Sequence, residues 1–401
     1  MATAAPTPTP RLTAPAPRGA CPFAPPPAYQ QAHREEPISR ISLWDGSTVW
    51  LVTRHQDVRA VLGDARFSAD AVNPGFPFLS AGARELASGK PTFIRMDDPE
   101  HARLRRMLTG DFMIKKVEAL RPEIQRIAEE LLDKMIAGGS SADLVRDFAL
   151  PLPSLVICLL LGVPYEEHDF FQECSRVLLR RDADPAQVRA AQDSLVDYLA
   201  KLTESKRTAP DDGILSRLVA RGELTAEEIG SMGRLLLVAG HETTANMTAL
   251  SVLALLRNPE QLERLREHPE LIGGAVEELL RYLTIVHSGL ARVATEDVTL
   301  GGVELRAGDG VILMLNTANR DEQEFPGGDD LDVSRDARRH LAFGFGVHQC
   351  LGQPLARLEL QIALSTILRR LPGLRLAASF EELRFRNEML IYGVHELPVA
   401  W

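Results

Sequence analysis

Thr225-Ala-Glu-Glu228 is a capping box, in which Thr225 receives the N–H three residues on and Glu228 reaches back to the N–H of Thr225. The helix it opens is expected to run to about Arg257, before Asn258-Pro259. At about 1.5 Å per residue it is roughly 48 Å long, enough to cross an entire domain. Inside it, Leu235-Leu-Leu-Val-Ala-Gly240-His241-Glu242-Thr243-Thr244 changes abruptly from apolar to polar. A carboxylate and a hydroxyl buried there are costly unless paired or used. Gly240 adds about 1 kcal/mol against alanine in a helix interior. Several local rules break at one point, as they do at functional sites. The plainer reading is a polar helix side facing solvent, and the unbroken Leu235–Val238 run argues against it.

Other helices are expected over His55–Leu62, Arg121–Ile136, Ala190–Glu204 and Ile272–Leu283. Short strands are expected at Ile41–Trp44 and Thr48–Val52, joined by an Asp45-Gly46 turn, and later at Val298–Leu300, Val303–Leu305 and Val311–Leu315. Ser68 to Lys90, with its glycines and prolines and no clear period, reads as a long loop, and long loops in compact domains are often functional. The order implies a mainly α fold: one large helical domain with a small β-rich lobe. The Ala/Pro/Thr-rich residues 1–24 read as a disordered tail, leaving 25–401 as a single domain. That tail holds no apolar run long enough for a signal peptide or membrane anchor. The net charge of -10 argues against a general nucleic-acid binder. Cys21, Cys158, Cys174 and Cys350 are scattered without a disulfide framework, which fits a reducing cytoplasm.

Near the C-terminus, Phe343-Gly-Phe-Gly-Val-His-Gln-Cys350-Leu-Gly352 reads as a glycine-rich turn holding one cysteine in front of a helix. Pro354 suits the first turn of that helix, and Leu355, Leu358 and Ile362 recur at helical spacing. A cysteine at the positive end of a helix dipole favours the thiolate. Thiolate on a stiff loop is a haem-iron ligand that favours O–O cleavage. The glycines let backbone pass close to a flat macrocycle, and Phe343 is placed to cover the sulfur. A buried structural cysteine is one alternative. A zinc site built from His340, His348 and Cys350 is another, but it lacks the paired ligand spacing zinc normally shows.

The stretch resembles the haem-binding signature of the cytochrome P-450 family, F-G-x-G-x-H-x-C-x-G, with every fixed position matched. The resemblance extends from about Cys21 to Trp401. It is strongest to the soluble actinobacterial members that oxidise macrolides, secosteroids and drugs, in Phe148–Cys158 and His340–Cys350. It implies the P-450 fold, with haem b between the lobes, Cys350 as axial ligand, and Phe343, Gly344 and Gly352 shaping its loop. Residues 239–243 match (A/G)-G-x-(D/E)-T. By resemblance Gly240 leaves room for dioxygen, Thr243 hydrogen-bonds the iron-bound oxygen and Glu242 connects it to a proton supply. His101 and Arg105 match an H-x-x-x-R pair that binds haem propionates, with Arg292 and His348 as further contacts. Glu278 and Arg281 match E-x-x-R, which with Arg335 has a folding role around the haem loop.

The same resemblance implies a monooxygenase that hydroxylates or epoxidises a lipophilic small molecule. Its electrons come from NAD(P)H through a separate ferredoxin and reductase, because the chain has no dinucleotide fingerprint and no room for a fused reductase. Arg103–Arg106, Lys115, Lys116, Arg338, Arg339 and Arg357 are expected to form a positive docking face for that ferredoxin. The expected substrate pocket is apolar, lined by Phe76, Phe78, Leu236, Val238, Ala239, Val286, His287, Leu290, Leu390 and Ile391. For His287 a satisfied polar residue is the slightly better reading. The expected protein is a cytoplasmic monomer with no membrane association. Peroxide-driven or rearrangement chemistry on the same haem, and a non-catalytic haem sensor, are the alternatives.

Overall fold

The computed structural model describes residues 12–89 and 92–401. The long helix spans Ala226–Arg257, 32 residues. Its capping box is formed: Thr225 Oγ1 accepts the Glu228 N–H at 3.1 Å and Glu228 Oε2 accepts the Thr225 N–H at 2.8 Å. Nothing in the helix faces a continuous solvent side. The helices Pro151–Leu161, Pro185–Thr208, Ile272–Leu283 and Gln353–Arg370 pack around it. The main core therefore runs along its length, with Leu237, Leu250, Leu253 and Ala254 set among Phe171, Leu195, Leu199 and Ile367. Among the described residues, no helix is long and apolar enough to cross a membrane.

The β lobe is a five-stranded sheet in the order Ile38–Ser42, Thr48–Val52, Gly310–Leu313, Leu290–Ala294, Phe67–Ser68. Its first two strands form an antiparallel hairpin with Ile38 opposite Val52. Thr48–Val52 then pairs parallel to Gly310–Leu313, which pairs antiparallel to Leu290–Ala294 with Arg292 opposite Val311. Two departures from expectation lie here. The first strand ends at Ser42, and Trp44 instead lies on the surface, donating its indole N–H to Phe78 O at 2.8 Å. The strand expected over Val311–Leu315 stops at Leu313 and gives way to a short helix, Leu315–Ala318.

Two larger expectations fail. Residues 12–24 are not a disordered tail: Ala14 donates its N–H to Ser42 O at 2.9 Å, Phe23 enters the main core, and the Arg18 guanidinium stacks 3.6 Å over the Tyr392 ring. A proline-rich segment with a few anchors is held by packing that composition does not reveal. Residues 1–11 of the expected tail lie outside the described residues. The Ser68–Lys90 loop contains a helix, Ala81–Ser88, capped by Ser80 Oγ on the Ala83 N–H at 3.1 Å; Lys90 lies outside the described residues. Gly82 lets this helix approach Val188, since a Cβ there would lie 3.2 Å from the valine side chain. The Pro185–Thr208 helix it meets begins before Ala190 because Asp184 caps it and Pro185 occupies its first turn.

Candidate active site

Gly344 and Gly346 hold φ of 69° and 73°, and a Cβ on Gly346 would strike Leu62 O at 2.3 Å. Only glycine makes this turn. The turn closes with the Cys350 N–H donating to Phe343 O at 2.9 Å. Phe343 lies under the Arg357 guanidinium at 4.6 Å, and Gly352, where a Cβ would meet open space, precedes the Gln353–Arg370 helix. Cys350 keeps accessible surface although protein surrounds it almost completely, so its sulfur opens on an interior space. Burial pushes its thiol up; the N–H groups of Gly352 and Gln353 and the charges of Arg105 and Arg357 oppose this without winning. The helix start alone therefore does not make a thiolate. A bound metal ion does, because a coordinating thiol is deprotonated outright.

The long helix opens a stripe of its own. Between the buried Leu237, His241 and Glu242, Ala239 is exposed in mid-domain, and Leu235, Val238 and Thr243 are half-exposed at helical spacing. Gly240 does not serve the expected purpose. A Cβ on it would lie 2.7 Å from Ile157, so its missing side chain admits the Pro151–Leu161 helix, and the small residue facing open space is Ala239. Gly240→Ala is expected to destabilise the fold by about 1–2 kcal/mol, overpacking outweighing the gain in helix propensity. Thermal melting of the purified variant checks this.

Thr243 Oγ1 donates to Ala239 O at 2.7 Å, bending back along the helix. Glu242 is almost fully buried and tethered: Asn246 Nδ2 and Arg386 Nη1 each donate to its Oε2 at 3.2 Å. His241 Nδ1 donates to Leu237 O at 2.7 Å, and burial lowers its pKa, so it is neutral. Arg386 and Asn246 were not among the expected residues. Asn246 stands one helical turn from Glu242, which sequence spacing offers; Arg386 is 144 residues away and only the fold delivers it.

His101, Arg105, Arg292 and His348 come together. The His101 and His348 rings lie 4.1 Å apart, and Arg105 Nη2 donates to Gln349 O at 2.6 Å. Asp98 Oδ1 accepts from the Ala102 N–H and contacts His101 Nδ1, both at 3.0 Å. His101 Nε2 and His348 Nδ1 are buried without partners. Among the described residues, the Arg292 guanidinium donates only to the adjacent Ala291 O, at 2.8 Å. Burial and the charges of Arg292 and His101 push the His348 imidazole down to about 3. So much buried positive potential and so many unused N–H donors suit carboxylates. With Cys350 opening on an interior space, the donor set fits iron protoporphyrin IX, whose two acids and one metal need these partners.

The Cytochrome P450 family model matches residues 169–372. Cytochrome P450-SU2 of Streptomyces griseolus is 70% identical over 391 residues, covering 97% of each chain. The crystal structure of GfsF superposes with a TM-score of 0.90 at 48% identity, covering 96% of this chain and 99% of that one. That of the mycinamicin VIII C21 methyl hydroxylase MycCI from Micromonospora griseorubida, bound to mycinamicin VIII, gives 0.91 at 43% identity, covering 97% and 100%. The chain belongs to the cytochrome P450 family. It is a P450 monooxygenase, and family membership implies haem-thiolate chemistry.

In this P450 the E-x-x-R pair is wholly buried: Arg281 Nε and Nη2 donate to the two oxygens of Glu278, each at 2.7 Å. Arg281 also donates to Asn319 O at 2.8 Å, Gly328 O at 2.7 Å and Asp330 O at 3.1 Å. Arg335 Nε reaches Glu278 Oε1 at 3.2 Å. Asn319 Oδ1 accepts the Leu341 N–H at 2.7 Å, so the trio is tied to the segment entering the cysteine loop. His340 turns away from Cys350: its Nε2 meets Glu277 at 3.2 Å and its Nδ1 accepts from the Ala342 N–H at 3.1 Å. With His348 turned to His101, the zinc arrangement is overturned.

The expected positive face is largely neutralised. Arg103 pairs with Glu100 and Glu228, Lys116 with Asp111, Arg338 with Asp336, Arg339 with Glu324, and Arg357 with Glu277. Arg106 and Lys115 are exposed without ion pairs to described residues. Near them Met113 and Ile114 are exposed, as is Val347 in the cysteine loop.

The expected pocket lining is dispersed. Leu236 is buried in the main core rather than open like Ala239. Phe76 packs among Ile41, Leu51 and Ile312, and Phe78 lies 5.2 Å from it below Arg84, so the pair belongs to a third core cluster instead of closing over a guest. His287 Nε2 meets Met389 O at 2.7 Å and its ring lies 5.1 Å from Tyr392. Burial keeps it neutral, at about 3, and it borders an outer cleft of 770 Å³ shared with Arg18, Arg181 and Arg257. Val286, Leu290, Leu390 and Ile391 are half-buried, and Leu290 Cδ1 would lie 3.8 Å from a Cβ on Gly344, beside the cysteine loop.

Proposed function

We propose that this P450 inserts one atom of dioxygen into a lipophilic small molecule, a macrolide, another polyketide, a steroid-like compound or a xenobiotic, by hydroxylation or epoxidation. The observation that carries the reading is the pairing of an accessible, enclosed Cys350 with unpartnered buried ring nitrogens on His101 and His348. Haem b supplies reductive cleavage of dioxygen when bound, and a thiolate ligand favours that cleavage. Cys350 holds the metal, while His101, Arg105, Arg292 and His348 take the propionates. The exposed stripe of Ala239 and Thr243 borders the reacting space. Val238, Val286, Leu290, Leu390 and Ile391 supply apolar surface that excludes water.

Thr243 and Glu242 handle protons. The Thr243 hydroxyl, by donating to Ala239 O, leaves its oxygen lone pairs toward the open side, where it accepts and orients a proton donor. Glu242, gripped by Arg386 and Asn246, passes protons inward when it swings from that clamp. The electrons come from NAD(P)H through a ferredoxin and its reductase. The ferredoxin docks over exposed Val347, Met113 and Ile114, with Arg106 and Lys115 at the rim, so contact is more apolar than the sequence suggests. The MycCI complex supports a macrolide-sized guest.

Thr243→Ala tests the proton role. With ferredoxin and reductase supplied, the variant is expected to consume NADPH at near the parental rate while product yield falls about tenfold or more and hydrogen peroxide accumulates. Full coupling of NADPH to product in that variant would remove Thr243 from the mechanism.

A further inference from the structure

Arg95 ends the one-turn helix Phe93–Arg95. It stands 5.1 Å over the Phe76 ring. Protein encloses it so thoroughly that burial lowers its guanidinium pKa, yet it keeps partial accessible surface. Like Cys350 it opens on an interior space. Its backbone N–H donates to Thr92 O at 2.8 Å, but its guanidinium makes no hydrogen bond or ion pair with any described residue. Other enclosed arginines behave differently: Arg281 is spent on Glu278 and three carbonyls, and Arg320 on the carbonyls of Phe23, Tyr282, Gly328 and Asp329.

The neighbourhood makes the omission costly. Arg292 is close enough that, after burial, the Arg95 charge is the next cause lowering its pKa to about 10. The acid near Arg292 is Asp97, and its oxygens are already engaged by the Ser68 hydroxyl and, at 2.9 Å, by the Ala69 N–H. Two enclosed guanidinium groups thus lie near one another, and the one carboxylate near Arg292 is already committed. An uncompensated buried charge is strongly destabilising until an anion joins it. A neutral lipophile cannot supply one.

We propose that Arg95 receives a carboxylate inside the cavity, either a propionate of the haem or an acid group on the substrate. The planar guanidinium fits both through a bidentate pair, and Phe76 holds its plane from beneath. The inference deepens the reading above by adding an anionic subsite to an apolar pocket.

Holoenzyme carrying Arg95→Gln or Arg95→Lys separates the sources. The carbon monoxide difference spectrum of both variants is recorded first; a parental spectrum keeps the haem-thiolate reading intact whatever follows. Haem transfer to excess apomyoglobin is then timed. About tenfold faster release from Arg95→Gln, with Arg95→Lys near the parental rate, assigns the propionate. Spin-state titration with dodecanoic acid and its methyl ester forms the second arm. A parental preference for the acid of about tenfold, lost in Arg95→Gln and partly kept in Arg95→Lys, assigns the substrate's acid. Release within twofold of the parental rate together with an unchanged acid-to-ester ratio overturns the inference.

Discussion

Cys350→Ser is expected to abolish product formation and to remove the red-shifted Soret absorption of the reduced carbon monoxide adduct. The side chain contributes chemistry, not packing: its sulfur opens on an interior space instead of filling the core, and one atom changes. The loop that presents it is held independently, by the Cys350 N–H on Phe343 O and by Gly346 against Leu62 O. The apoprotein of the variant should therefore melt close to the parental apoprotein. A serine oxygen cannot push electron density onto iron as thiolate does, so even a variant that retains haem loses O–O cleavage. Difference spectroscopy and product analysis check both statements. Retention of the red-shifted band in Cys350→Ser would mean that another residue binds the iron.

Arg281→Ala should produce the largest loss of stability. Arg281 and Glu278 are both fully buried, and removing the guanidinium strands one oxygen of the carboxylate and takes a donor from three carbonyls. Breaking a buried pair in this way costs about 3–5 kcal/mol. That is a large share of the roughly 5–15 kcal/mol that holds a folded domain. The Tm should fall by roughly 4–6 °C, because the unfolding entropy of a chain this long is large. Haem retention should fall with it, since Asn319 links this cluster to Leu341 at the entry of the cysteine loop. Arg281→Lys should not rescue it, because an ammonium cannot hold both carboxylate oxygens and three carbonyls at once. Melting within about 2 °C of the parent would show that the cluster is dispensable.

Much of this protein was legible before its fold. The long helix was announced by Thr225, Glu228 and the Asn258-Pro259 stop, because capping and termination are settled within a few residues. The mainly α fold with a β lobe followed from the order of periodic segments, and the cysteine loop from glycine spacing, since positive φ is a property of the residue itself. The Ala81–Ser88 helix was missed because Pro and Gly on either side masked a plain Ser80 cap. The ordering of residues 12–24 was missed because it depends on Ser42 and Tyr392, far along the chain.

The sequence by itself therefore determined several of the helices and strands, the long central helix above all, that one cysteine is presented on a stiff turn, and that a polar step interrupts an apolar helix. Those are short-range matters of capping, period and backbone freedom. Tertiary structure alone decided what each polar group faces. It turned Gly240 toward Ile157 and Ala239 toward open space, brought Arg386 to Glu242, neutralised most of the basic surface with nearby carboxylates, and left Arg95 without an anion. The physical reason is that charge pairing and close packing depend on distances between residues far apart in the chain, and those distances exist only once it has folded.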